Sequence, residues 1–225
     1  MAQPSKSNDR YPTDSRKQQI VEAVLSLVAA HGAEAVSAQL VADTLGVTQP
    51  AVFRHFRNKE AMWLAVMDWL EEQLAAIYSA ADGFREPALV AMSRMFLEHA
   101  RLIERYPALA KLVLSDHLRH RYPALQARFG KIHRAYTARL SALLNRAKTE
   151  GAVRAQVAGK DAATLFLSLI QGLGFQFAIA RLPMKLMPQA ERILAFYLQA
   201  IAISDAAVEA AIRTIETTKV ATKFG

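Results

Sequence analysis

The segment GVTQPAVFRHFRNKEAMW, Gly46 to Trp63, crowds hydrogen-bonding and cationic side chains into a stretch too short and too polar for ordinary core helix. Its glutamine and arginines are side chains that read base edges: Gln pairs bidentately with adenine, Arg with guanine. On a helix, Val52 and Phe56 are four apart and share a face, while Pro50 and Arg54 lie about 200° away from Val52. Gln49, at the N-terminal end, is free to reach outward, and Pro50 and Ala51 can touch a thymine methyl. His55, Arg57 and Lys59 sit where such a helix leaves a groove, placed to meet phosphates, which orient a protein but carry no sequence information. One narrow apolar stripe with the opposite face open is what a helix entering the major groove of DNA requires.

The neighbouring residues supply the elements that would position this helix. Ser15 with Gln18 three positions on is a capping-box pattern. After it, Ile20, Val24, Leu27 and Val28 form one helical stripe, which Gly32 ends. Ser37 can cap a short second helix whose Leu40, Val41 and Leu45 face inward, and Gly46 supplies the tight turn. Thr48 caps a third, with Pro50 tolerated in its first turn. Asn58 caps a fourth that runs to about Ser79. A break at ADGFREP (81–87) precedes a helix-rich remainder in which RYPAL occurs at Arg105–Leu109 and at Arg121–Leu125, each copy putting a proline at a helix start. Further helices are expected over Pro123–Glu150, Asp161–Arg181 and Gln189 to about Thr217. Nothing alternates at period two, so the fold reads as all-α, with about nine helices. The expected organisation is a disordered tail over 1–13, a helix-turn-helix domain over 14–60, a helical domain over 61–217 and a C-terminal tail over 218–225.

Composition excludes several classes. The 225 residues are 52% hydrophobic and 21% charged, with 9 glycines and 8 prolines, which is globular and poor in turn residues. There is no cysteine, hence no disulfide or thiolate metal site; this suits the cytoplasm, the expected location. No secretory apolar segment opens the chain, and no apolar run reaches the roughly 18 residues of a membrane span. The net charge of +8 favours an anionic partner. It is unevenly spread: residues 1–60 hold 7 Lys/Arg against 6 Asp/Glu, whereas residues 94–148 hold 12 against 3. Solvated helix faces account for that basic block most simply; an acidic ligand or further nucleic-acid contacts are the alternatives. His117 and His120 share a face, but no carboxylate set or thiol completes a metal shell there, so no metal and no cofactor are expected. With no nucleophile motif and no phosphate-cradling glycine loop, the chain does not read as an enzyme.

Arg16 to Val66 closely resembles the DNA-binding domain of TetR/AcrR-type transcriptional regulators, including the pattern GV-S/T followed by Y/F-x-H-F-x-x-K. In that family the positions matching Gln49, Pro50 and Ala51 contact bases, those matching Thr48, Phe53, His55 and Lys59 lie along phosphates, and Gln39 falls where some members place a base-contacting arginine. Phe53 departs from the usual tyrosine and loses a hydroxyl worth about 0.5–1.5 kcal/mol net, and Ala38 lacks a hydroxyl that some members use. Arg54 adds a cation able to reach a base or a phosphate.

For the remainder the resemblance implies a layout only: a ligand-binding core whose last two helices pair with a second subunit. Leu165, Leu169, Leu173 and Phe177, with Ile193, Leu194, Tyr197 and Ile201, are the candidate dimer stripes, and Gly172 and Gly174 would permit close approach of a partner helix. Trp63, Met67, Met92, Met95, Phe96, His99, Phe129, His133, Tyr136, Phe166, Gln171 and Phe175 are candidate pocket walls. Their aromatics and methionines suit a bulky apolar ligand, and the arginines at 101, 105, 119, 121, 128, 134 and 139 an anionic one. The resulting expectation is a homodimeric, effector-responsive regulator of operator DNA, acting as a repressor that a small molecule releases from a palindromic site. The alternative is a sequence-tolerant accessory DNA-binding protein with no effector switch.

Overall fold

The computed structural model describes residues 13–83, 86–179 and 185–213. Within them the chain is helical, its sole strand-like pairing an isolated antiparallel bridge between Val153 and Ala202. In chain order the helices are α1 (Thr13–His31), α2 (Ala38–Leu45), α3 (Gln49–Phe53), α4 (Lys59–Gly83), α5 (Ala88–Arg105), α6 (Ala108–Val113), α7 (Asp116–Arg121), α8 (Pro123–Thr149), α9 (Gly159–Ile179) and α10 (Leu186–Ile201). Residues 205–213 begin a further helix. Each RYPAL copy opens a helix as expected, with Pro107 at the N-cap of α6 and Pro123 in the first turn of α8; the number among the described residues exceeds nine because α7 fits between them and residues 205–213 form a helix apart from α10. The tails expected over 1–13 and 218–225 lie outside the described residues, save that α1 includes Thr13.

Local chemistry explains most boundaries. Ser37 Oγ accepts from the Leu40 amide at 3.1 Å and starts α2; Gly46, at φ 65°, ends it in the left-handed conformation that glycine adopts without penalty. Asn58 Oδ1 accepts from the Ala61 amide at 2.8 Å, as the sequence implies. Two expected caps fail. α1 already runs through Ser15, so Ser15 is no cap, and Gln18 instead donates to Glu22 one turn on. Thr48 occupies the N-cap of α3 without a side-chain bond; its carbonyl accepts from Ala51 at 2.9 Å. A single helix over 189–217 is also not formed. The chain breaks after Ile201, where the Arg154 amide donates to Ile201 O and the Ile203 amide to Ala152 O, both at 3.0 Å. That pairing takes the Ile201 carbonyl and the Ile203 amide that a continuing helix would have used.

α5 is the centre of the larger unit. Twelve of its eighteen residues are buried, more than one amphipathic face can supply, so it is enclosed on most sides. It packs against α4, α8, α9 and α10. Phe96 meets Phe166 edge-on at 5.1 Å, and Phe166 meets Tyr197 at 5.5 Å, stitching α5, α9 and α10 together. The Tyr197 hydroxyl donates to Ala162 O at 2.9 Å. Glu150 reaches back to accept from the Ala88 amide at 2.8 Å, so α5 takes its first-turn acceptor from the end of α8.

The basic block is partly paired. Arg94 pairs with Glu86, Arg101 with Glu98, Arg119 with Asp116, Arg128 with Asp68 and Glu71, Lys131 with Glu71, and Arg146 with Glu150. No helix among the described residues is long and apolar enough to cross a membrane.

Phe96 has no solvent-exposed surface and Phe53 is 41% exposed. Urea denaturation should show Phe96→Ala losing about 3–5 kcal/mol and Phe53→Ala under about 1 kcal/mol. Equal losses would contradict the enclosed position of α5.

Candidate DNA-binding face and ligand cavity

α3 is held from one side only. Val52 and Phe56 are buried against α1 and α2, at 1% and 6% exposure, whereas Pro50, Phe53 and Arg54 are exposed and Gln49 and Ala51 partly so. Thr48 and Gln39 are exposed as well. Gln39 is committed locally: its amide donates to Asp43 Oδ1 at 2.7 Å, a bond it would have to leave to reach a base. Lys59 is partly buried, which lowers its pKa, with Arg121 adding repulsion.

Arg16, Ile20, Leu45, Val47, Ala51, Val52, Arg54 and His55 line a recess between α1 and α3. The His55 Nδ1 is buried without a partner. Burial lowers the His55 pKa, and Arg16, Arg54 and Lys17 lower it further, so the ring is neutral at neutral pH and meets an anion as an N–H donor. Arg16 and Lys17, beside His55, were not among the residues singled out in the sequence, because they fall in the segment read as a helix cap.

A cavity of about 110 Å³ lies among α4, α5, α6, α8 and α9. Of the twelve expected wall residues, His99, Phe129, His133, Tyr136 and Gln171 line it. The other seven do not. Trp63, Met92, Met95, Phe96 and Phe166 are fully buried core, Met67 packs beside Leu112 and Leu118, and Phe175 is 44% exposed beside α1 and α6. Large side chains fill the packed centre instead of leaving space in it, so the walls are mostly aliphatic: Leu70, Leu74, Ile103, Leu109, Val113 and Leu167. Aliphatic residues at helical spacing carry no sequence mark that separates wall from core.

Tyr136 Oη lies 3.0 Å from His99 Nδ1. Burial pushes the His99 pKa down to about 4 and the Tyr136 pKa well above the usual phenol value, so both are neutral at neutral pH. Behind them Tyr78 meets Tyr136 edge-on at 5.5 Å, its hydroxyl buried without a partner.

On α9 and α10 the expected dimer stripes divide. Leu165 is 47% exposed, and Leu169, Phe177 and Ile193 are partly buried, but Leu173, Leu194, Tyr197 and Ile201 are buried within the chain against its own helices. A stripe at i, i+4 marks the inward face as readily as an outward one. Gly174 also faces inward: a Cβ there would come within 3.1 Å of Ile103 Cδ1, whereas one on Gly172 would meet nothing. The outward face adds Phe196, at 73% exposure, and Ile203, at 60%, neither of which lies on those stripes.

Residues 20–66 match the family described as bacterial regulatory proteins, tetR family. A nucleoid occlusion factor SlmA from Marinobacter nauticus is 28% identical over 143 residues, covering 62% of this chain and 70% of that protein. Among solved structures, the fatty acid degradation regulator FadR from Bacillus halodurans superposes with a TM-score of 0.71 at 17% identity, covering 85% of this chain and 97% of that one. The regulator FadR from Bacillus subtilis in complex with stearoyl-CoA gives 0.67 at 15%, covering 80% and 97%. The matched family consists of regulators, not enzymes.

An unfolded His99 titrates near 6.5 and the folded one near 4. Between these values the unfolded chain binds a proton that the folded chain refuses, so stability falls as pH drops from about 6.5 towards 4. The slope from this group is at most roughly 1.4 kcal/mol per pH unit. His99→Gln should flatten that dependence in urea melts taken from pH 7 to pH 4.5; an unchanged slope would show that His99 is not the group responsible.

Proposed function

We propose that this chain, whose N-terminal domain is that of a TetR-family DNA-binding regulator, works as a homodimer that reads an operator with α3 and is released from it by a small molecule in the cavity. The observation that carries the reading is the one-sided anchoring of α3, with Val52 and Phe56 buried and Gln49, Pro50 and Arg54 turned outward. Gln49 to Ala51 and Arg54 face bases, and Thr48, Phe53, His55 and Lys59 face phosphates, with Gln39 joining if it leaves Asp43. A division near residue 60 into a DNA-binding and an effector-binding domain falls in the first turn of α4, which belongs to both.

The exposed Leu165 and Phe196 support pairing of α9 and α10 with a second copy, since side chains of that size are usually covered. In such a dimer two α3 helices about 34–36 Å apart would meet successive major grooves of a pseudo-palindrome. The cavity supports an effector, and two elements connect it to the DNA-binding domain. α4 carries Leu70 and Leu74 to the cavity, and α6 packs on α1. Release follows if the effector prefers a conformation whose heads are mis-spaced, and operator DNA must then weaken effector binding by the same factor. An operator overlapping a promoter would make a regulator of this kind a repressor.

A sequence-tolerant accessory role is the second reading, and the relatives named nucleoid occlusion factors favour it. Gln49→Ala separates the two. Fluorescence anisotropy on the DNA flanking the coding sequence, against random DNA, should show discrimination falling by about 1–3 kcal/mol. Equal weakening on all sequences, with little specificity in the parent protein, would overturn the operator reading.

A further inference from the structure

The sequence left open whether the ligand is apolar or anionic, and the walls of the cavity bear on that choice. Among its lining residues there is no Lys, Arg, Asp or Glu. None of the seven arginines that made an anion plausible lines it, and three are paired elsewhere: Arg101 with Glu98, Arg119 with Asp116, and Arg128 with Asp68 and Glu71. An ionised group brought among Leu74, Ile103, Leu109 and Leu167 would lose its hydration and find no counter-charge. His99 does not supply one, because its enclosure keeps the ring neutral at neutral pH.

What the cavity does offer is one polar spot in an apolar shell. His99 and Tyr136 form a neutral hydrogen-bonded pair on its wall, while His133 and Gln171 are exposed at its edge. A neutral imidazole and a phenol joined by one bond retain both a donor and an acceptor, so the pair can meet a hydroxyl or a carbonyl. Space sets the size. About 110 Å³ is smaller than the roughly 150 Å³ apolar cavity that accommodates benzene, so a single ring is the upper limit, and any substituent beyond the one polar group must lie toward the open edge at His133 and Gln171 or displace the walls. Phe129 and Tyr136 contribute aromatic surface for that ring, and the Gly174 backbone forms part of the wall where a side chain would press on Ile103.

We propose that the cavity takes a small uncharged ring compound, apolar except for one hydroxyl or carbonyl that hydrogen-bonds to the His99–Tyr136 pair. This rests on the reading of the cavity as the effector site, and it commits that site to a ligand class.

Three probes of nearly equal size test it at pH 7.5 with the full chain: p-cresol, toluene and 4-methylbenzoate. Calorimetric titration should show p-cresol binding at least tenfold tighter than either of the others. Tyr136→Phe should cost p-cresol about tenfold and leave toluene unchanged, a split that a general loss of structure would not produce. In the unsubstituted protein, p-cresol should slow amide hydrogen exchange in α5 and α8 around His99 and Tyr136, a readout that survives if the variant fails to fold. Tighter binding of 4-methylbenzoate, failure of all three to bind, or protection confined to other helices would overturn the inference. Operator affinity is followed separately by anisotropy. Binding of p-cresol without operator release leaves the cavity's chemistry standing and overturns the effector switch instead.

Discussion

The larger unit depends on α5 having almost no solvent face. A helix buried on most sides must be surrounded, and α4, α8, α9 and α10 do so. The consequence for chemistry is that a polar group enclosed on α5 has to be neutral or locally satisfied. Ser93 donates to Leu89 O at 2.8 Å within its own helix, and His99 gives up its charge and pairs with Tyr136. The consequence for assembly is that the inner faces of α9 and α10 are used up in covering α5, so only their outer faces remain for another subunit.

α6 occupies a position that its six residues do not advertise. Leu109, Ala110 and Val113 stand along the cavity, while Lys111 Nζ donates to the Ala29 carbonyl near the end of α1 at 2.5 Å. A cation at that end of a helix meets its unsatisfied carbonyls and the negative end of its dipole. The same short helix thus touches both the cavity and the DNA-binding domain. α4 makes the longer connection, from its Asn58 cap beside α3 to Leu74 at the cavity, and Arg128 and Lys131 on α8 grip it through Asp68 and Glu71. The cavity is thus joined to α1 through α6 and through α4.

In the DNA-binding domain, charge is placed and not massed. Its first sixty residues are nearly balanced, and the basic middle of the chain engages part of its arginines in internal pairs. The exposed pairs among them add little stability one by one. Near α3 stands a compact group, Arg16, Lys17, Arg54 and His55; burial first, and the three cations after it, depress the His55 pKa.

The helix-turn-helix was legible in the sequence because its signals are local. Ser37, Gly46 and Asn58 act within a few residues of themselves, and the four-residue spacing of Val52 and Phe56 needs no partner to define a face. The all-α class was legible for the same reason. Which side of a long apolar helix faces in, however, is not a local property. Leu173, Tyr197 and Ile201 looked like an interface until α5 occupied that side, and Phe196 looked unremarkable until nothing did. The cavity escaped the sequence for a related reason: a wall differs from core only by what is missing opposite it. Periodicity and capping decided the elements and the DNA-reading face, while long-range packing alone decided where the space, the neutral His99–Tyr136 pair and the uncovered apolar surface would lie.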